Sequence, residues 1–404
     1  MKLIQPFAGW RPRPGLASRV AAPPYDVLSS AEARLMAQGN PDSFLHVSKA
    51  EINLDPALPS DDEQVYRAAQ RRFDQMQREG VLIRDAVPCL YLYRLAVGQR
   101  VQTGVVAAAS VAAYRANRIR RHELTRPDKE NDRTRLAETL AAHTGPVFLI
   151  YRQTDELDAL VARICQEVAP DEDFQADDGV CHTLWVIRDV QQIDRLVALM
   201  EQQPRLYVAD GHHRSAAAAR VCDRWPAADR FLAVLFPDNQ VNILDYNRVV
   251  RDLNGLTPSA FLEAVGRRFR VTVEAEAVRP DRPHTFGLYV AGQWYRLELA
   301  SEYCDGADAV SRLDVALLDR HLLQPVLGIH DLRRDQRVDF VGGSRGVAAL
   351  AALVDGGTMA AALVLFPTRL AELMAVADAD QIMPPKSTWF EPKLRDGMVV
   401  QTFS

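Results

Sequence analysis

The chain has 404 residues, 48% of them apolar and 25% charged, the proportions of an ordinary soluble globular protein. Its 48 Lys and Arg against 53 Asp and Glu leave a net charge of -5, which argues against a nucleic-acid partner held by charge alone. No apolar stretch approaches the ~18 residues of a membrane span, and the opening MKLIQPFAGWRPRPG has no apolar signal core; the expectation is a cytoplasmic chain without a membrane partner. Cys89, Cys165, Cys181, Cys222 and Cys304 stand at no metal or redox spacing and read as free thiols in a reducing compartment.

The first 27 residues look irregular (PRPG, then AAPPYDV), and Ser30 opens a short helix that stops at Asn40-Pro41. Residues 61–79 keep a helical stripe of Val65, Ala68, Ala69, Phe73 and Met76, led by acids and closed by Gly80. Residues 89–96 and 101–109 pair as a hairpin around Val97-Gly98-Gln99-Arg100. From there helices (129–142, 155–167, 193–201, 214–225) alternate with strands (147–151, 183–187, 206–209, 231–236). A strand over 243–250, a helix over 258–267, a hairpin over 285–299 and a helix over 312–323 follow. Then come a strand over 337–341, a helix over 347–354 and a strand over 361–366. The pattern predicts a mixed α/β (α+β) chain, divided as 1–255 and 256–404, with a C-terminal tail that returns to the site.

Two phosphate motifs are absent, the P-loop and the Gly-x-Gly-x-x-Gly fingerprint. Gly342-Gly343-Ser344-Arg345-Gly346 matches a nucleophile elbow in letters only, because such an elbow needs a His after its Ser and the last His is His330. It reads either as a plain tight turn or as a glycine turn onto a helix N-terminus.

The central signal is Tyr207-Val208-Ala209-Asp210-Gly211-His212-His213-Arg214-Ser215. An apolar strand ends, Asp210 and Gly211 turn the chain, and the Ala-rich run from Ala216 makes a helix. Gly211, His212, His213 and Arg214 therefore stand at a helix N-terminus, where N–H groups, dipole and cations favour a phosphate or carboxylate. A capping Asp with two satisfied imidazoles is the structural alternative. A zinc site is a third reading, weakened because adjacent His residues do not share a helix face.

The second signal is Arg118-Ile119-Arg120-Arg121-His122-Glu123-Leu124-Thr125, with Lys129 beyond. A carboxylate among cations stays ionised and can take a proton from an alcohol, which makes Glu123, then His122 and Asp210, the candidate catalytic groups. A surface salt-bridge network fits the same letters. The third is Met383-Pro384-Pro385-Lys386-Ser387-Thr388-Trp389, where two prolines stiffen a loop carrying an amine and two hydroxyls suited to phosphate; a docked tail fits as well.

Seven segments in order, QPFAGWRP, AAPPYDV, NPDSFLHV, RIRRHELT, GPVFLIY, ADGHHRSAA and MPPKSTWFEPKL, resemble the domain-of-unknown-function 1015 family (DUF1015) nearly end to end. The chain departs from that family's pattern at Leu244-Asp245-Tyr246-Asn247-Arg248, so no role for a His is carried over there. The Asp-Gly-His-His-Arg turn is also similar to that of free-serine kinases with a ParB/sulfiredoxin-like fold. The resemblance implies such a nucleotide-binding core, ATP or ADP as phosphoryl donor, Mg²⁺, and a small hydroxylated acceptor, free L-serine first. It places the donor phosphates on 210–214, with Asp210 toward Mg²⁺. Lys386, Ser387 and Thr388 join the phosphate site, and Arg121 and Lys129 offset charge. A nucleotide-binding regulator of the ParB type and a metal-dependent phosphohydrolase are the alternatives.

Overall fold

The computed structural model describes residues 2–403. The chain is mixed α/β and packs as two units, one of residues 1–121, 125–241 and 392–404, the other of 122–124 and 242–391. No helix among the described residues is long and apolar enough to cross a membrane.

The first unit is built on a nine-stranded sheet. Its strands run in the order Ile119–Arg120, Leu206–Asp210, Val147–Tyr151, Arg230–Pro237, Arg100–Ser110, Leu90–Val97, Cys181–Ile187 and Glu172–Gln175, with Ile4–Gln5 beside Arg100–Ser110. Most pairs are antiparallel. Leu206–Asp210 runs parallel to Ile119–Arg120, and Arg230–Pro237 parallel to Val147–Tyr151. The central strands read as near-continuous apolar runs (VFLIY, RFLAVLFP) because both faces are covered. Leu157, Val161 and Ile164 of the Asp155–Glu167 helix join Leu149, Val208 and Phe231 of the sheet in one core. So do Leu196 and Met200 of the Val190–Glu201 helix.

A second core cluster lies under the N-terminal helices. There Glu63–Arg78 buries Val65, Ala69, Phe73 and Met76 against Phe44, Leu136, Leu140 and Val400. The helix begins at Asp62, whose side chain accepts from the Gln64 N–H.

The second unit carries a six-stranded antiparallel sheet ordered Phe269–Glu274, Gln293–Leu299, Thr285–Val290, Ala361–Leu365, Tyr246–Val250 and Val338–Gly342. Two sequence expectations change here. The strand expected over 243–250 is broken at Asp245 into Ile243–Leu244 and Tyr246–Val250, and the Asp245 carbonyl accepts from Gly343 N–H at 2.8 Å. The helix expected over 312–323 begins at Asp314 and passes at Asp319 from α to a π-helix, Asp319–Leu323. All five cysteines are free, Cys89 buried and the others half-buried.

Candidate functional site

The Leu206–Asp210 strand ends in a bulge. Tyr207 and Val208 pair in register with Ile150 and Leu149, but Asp210 pairs with Phe148, so the register shifts between Val208 and Asp210. A bulge of this kind re-aims the next side chain. Gly211 then takes φ +92°, left-handed backbone that a Cβ would strain, and a Cβ there would lie 3.1 Å from Arg214 Nε and 3.3 Å from Val147 Cα. Helix His212–Arg224 starts at once, with Ser215 N–H bonded to the Gly211 carbonyl at 2.9 Å. As N-cap, Gly211 brings no side-chain acceptor to the first turn.

Asp210 Oδ2 meets Lys393 Nζ at 2.9 Å, and Oδ1 accepts from Gly211 N–H at 2.7 Å. Burial alone would raise the Asp210 pKa; the charges of Lys393 and Arg214 outweigh it and hold the carboxyl well below the usual carboxylate range. With both oxygens engaged and an ammonium in contact, Asp210 is a poor fit for a Mg²⁺ ligand.

Arg214 folds back under the turn, where its Nη1 donates to the Pro146 carbonyl at 2.5 Å. Burial opposes its charge, but Asp210, Asp26 and Asp396 more than offset that and raise its pKa. His212 is buried, and its carbonyl accepts from Ser215 Oγ at 3.1 Å. His213 Nε2 accepts the Arg126 N–H at 3.0 Å, so the imidazole ties this helix to the N-cap of helix Pro127–Leu140. That bond requires Nε2 to be unprotonated.

Beside the turn, still within the first unit, lies a half-open pocket of about 30 Å³ lined by Tyr25, Arg133, His143, Gly145, Arg214 and Asp396, among others. The Arg133 guanidinium lies 4.0 Å from the Tyr25 ring centre and pairs with Asp132 at 2.6 Å. Asp396 is anchored through its backbone, which exchanges hydrogen bonds with Ala22 at 2.8 and 3.0 Å.

The remaining residues expected at the site fall as follows. Arg121 is exposed, its guanidinium 5.1 Å from the Tyr114 ring centre, and Lys129 is exposed on the first turn of Pro127–Leu140. His122 and Glu123 pack with the second unit, where the His122 carbonyl accepts from Met383 N–H at 2.8 Å; His122 is buried and Glu123 half-buried. Lys386, Ser387 and Thr388 belong to that unit too. Lys386 is exposed at φ +58°, its ammonium 5.6 Å from the Tyr246 ring centre. Ser387 closes its own loop, donating to the Pro384 carbonyl at 2.7 Å and accepting from Thr368 Oγ1 at 2.9 Å.

Lys393 of the C-terminal tail meets Asp210; sequence reasoning passed it over, as it did Tyr25, Gly145 and Asp396. The segments AAPPYDV and FEPKLRDG carry three of these four, yet nothing in their spacing shows which lysine or aspartate faces Asp210 or Arg214.

A family model described as "Protein of unknown function (DUF1015)" matches residues 4–316. The chain belongs to the DUF1015 family. No curated protein matches this DUF1015 chain. Among solved structures it is similar to SbnI with a C-terminal truncation from Staphylococcus aureus, at 12% identity over 72% of this chain and 85% of that one, TM-score 0.39. It is similar to a conserved hypothetical protein from Pyrococcus furiosus, at 12% identity over 74% and 96%, TM-score 0.37. It is also similar to a free serine kinase in complex with AMP, at 11% identity over 72% and 91%, TM-score 0.37.

Proposed function

We propose that this DUF1015 protein is a nucleotide-dependent kinase of a small hydroxylated metabolite, with free L-serine as the favoured acceptor and ATP or ADP as donor. The observation that carries the reading is the strand-to-helix turn at 210–214. A helix N-terminus capped by a left-handed glycine carries the Lys393 ammonium and the Arg214 guanidinium within one small region. Such a turn supplies N–H groups, dipole and positive charge for a phosphate chain. Phosphoryl transfer asks mainly for positioning and charge neutralisation, and these groups are suited to both.

In the reaction the acceptor oxygen forms a bond to phosphorus as the donor's bridging P–O bond breaks. The hydroxyl proton passes to a carboxylate, for which Glu123 is the proposed residue. Lys386, Ser387 and Thr388 are proposed to contact the phosphates, and Arg121 and Lys129 to offset charge.

The test is a thermal-shift screen of ATP, ADP and AMP, followed by mass spectrometry of serine and other hydroxylated metabolites incubated with the best nucleotide. A ligand of the folded state raises its apparent stability. Phosphoserine or another phosphorylated acceptor is the expected product. Nucleotide turnover with no phosphorylated acceptor would support a regulator instead, and release of phosphate without any nucleotide would support a phosphohydrolase.

A further inference from the structure

Three residues that line the pocket beside the turn each carry a buried polar atom with no hydrogen-bond partner: Arg214 Nε, Asp396 Oδ1 and His143 Nε2. Asp396 is 3% exposed and His143 8% exposed, so bulk water does not serve either side chain. Unmatched polar atoms of this kind are costly unless a bound group meets them. Their hydrogen-bonding characters differ. Arg214 Nε is a donor. His143 engages the backbone of Arg230 with its other ring nitrogen and is held neutral by burial, its pKa down to about 4, which leaves Nε2 an acceptor. Asp396 Oδ1 is an acceptor whenever that carboxyl is ionised. A ligand that matches all three offers one acceptor group and a donor with several hydrogens.

We propose that this pocket binds the head group of a free α-amino acid, its carboxylate on Arg214 and its ammonium on Asp396 and His143. The space is roughly two to three times what one ordered water needs, and the pocket is half-open, so a short side chain can project outward. The lining leaves room because residue 145 is glycine: a Cβ there would lie 2.8 Å from Asp396 Oδ1 and 3.2 Å from Arg214 Nη1. The proposal draws on the kinase reading only for its choice of serine; the pocket can bind an amino acid whether or not it is phosphorylated.

Burial raises the Asp396 pKa to about 7, with Arg214, Arg133 and Arg395 lowering it and Asp26 raising it. Ammonium binding therefore releases a proton from Asp396 in the molecules that still carry one, and affinity rises from pH 6 to pH 8. The titratable and charged groups facing Asp396 are His143, Tyr25, Asp26, Arg133, Arg214 and Arg395. In that window His143 is neutral, the Tyr25 phenol is pushed well up by burial, and Arg214 and Arg133 stay charged.

The experiment is calorimetry of L-serine, L-alanine, N-acetyl-L-serine and ethanolamine on the full chain without nucleotide, at pH 6 and pH 8. L-serine and L-alanine are expected to bind more tightly at pH 8. N-acetyl-L-serine, which lacks the ammonium, and ethanolamine, which lacks the carboxylate, are expected to bind at least roughly tenfold more weakly, the scale of one lost charged hydrogen bond. Asp396→Asn is expected to lose affinity and the pH dependence together, and Gly145→Ala to lose affinity. Absence of any L-serine or L-alanine binding at millimolar concentration overturns the proposal. So does equal binding of N-acetyl-L-serine, or a crystal soaked in L-serine that shows only ordered water between Arg214 and Asp396. Serine binding with no phosphorylated product from serine or any other hydroxylated metabolite would leave the pocket standing and remove the kinase reading. Phosphoserine formation with an unchanged KM for serine in Asp396→Asn would do the reverse.

Discussion

The chain contains two turns of the same outward grammar, a strand running through glycine into a helix, and they have different surroundings. At the first, Leu206–Asp210 passes through Gly211 into His212–Arg224, where Arg214 of that helix is joined by Lys393 and Asp396 from the C-terminal tail. At the second, Val338–Gly342 passes through Gly343–Arg345 into Gly346–Asp355, an apolar helix that buries Val347 and Leu350. There the glycines serve close packing. A Cβ on Gly342 would lie 2.7 Å from the Trp389 indole, and one on Gly343 only 2.2 Å from Asp245 Oδ1. Ser344 and Arg345 are exposed. The glycine pattern makes the turn, and what the rest of the fold carries to it gives the turn chemistry.

Substitutions at the two turns should therefore separate. The largest effect is expected at Gly211→Val, where a branched side chain must take φ +92° with Arg214 and Val147 in its way. Destabilisation of about 2–3 kcal/mol in denaturant unfolding is expected, together with loss of nucleotide binding. Gly346→Ala, at φ +73° and ψ 165° but with its nearest neighbour 4.0 Å away, should cost about 1–3 kcal/mol and leave any activity intact.

Lys393→Met comes next. It leaves Asp210 without its ammonium partner, a loss of about 1–3 kcal/mol at pH 7. Because Asp210 has a depressed pKa in the folded state, the stability it contributes is present above its unfolded pKa and disappears on acidification. The gap between Lys393→Met and wild type should shrink as pH falls below about 4.

Asp396 has the opposite sign. Its folded pKa, near 7, lies above its unfolded value, so its contribution is full below about pH 4 and is lost as pH rises to 7. Asp396→Asn should flatten that part of the stability profile, making the variant compare better with wild type at pH 8 than at pH 4. An unchanged slope between pH 4 and 7 would remove Asp396 from the set of groups that titrate with folding. The smallest effect is expected at the second turn, where Ser344→Ala should stay within about 0.5 kcal/mol of wild type with unchanged activity.

Much of the scaffold was legible because local pattern and tertiary environment agree. The Val147–Tyr151 strand and the Asp155–Glu167 helix match the sequence reading to the residue, the first a buried apolar run and the second an amphipathic helix led by Thr154. The reading failed where local preference and environment part. Glu172–Gln175 is an edge strand of sequence EDFQ with only Glu172 buried, and apart from Phe174 it carries no β-favouring residue and no apolar alternation. The α-to-π passage at Asp319 has no periodic signature of its own.

At the site, the turn of Asp210 to Arg214 and its position on a helix N-terminus could be read from Gly211 and the alanines that follow. The contact of Lys393 with Asp210 could not, since nothing in the spacing of its proline-rich segment marks that lysine and only tertiary packing makes the pair. His213 shows a further gap. Its acceptance of the Arg126 N–H gives it a structural role, so His213→Ala tests the helix junction as well as ligand binding.

The most direct measurement is the affinity of ATP and ADP for wild type, Lys393→Met and Ser344→Ala by calorimetry at pH 7.5, with folding of each checked by circular dichroism. The account predicts binding to wild type and Ser344→Ala alike, and at least roughly tenfold weaker binding to Lys393→Met. Equal affinity across all three, or loss in Ser344→Ala alone, would contradict it.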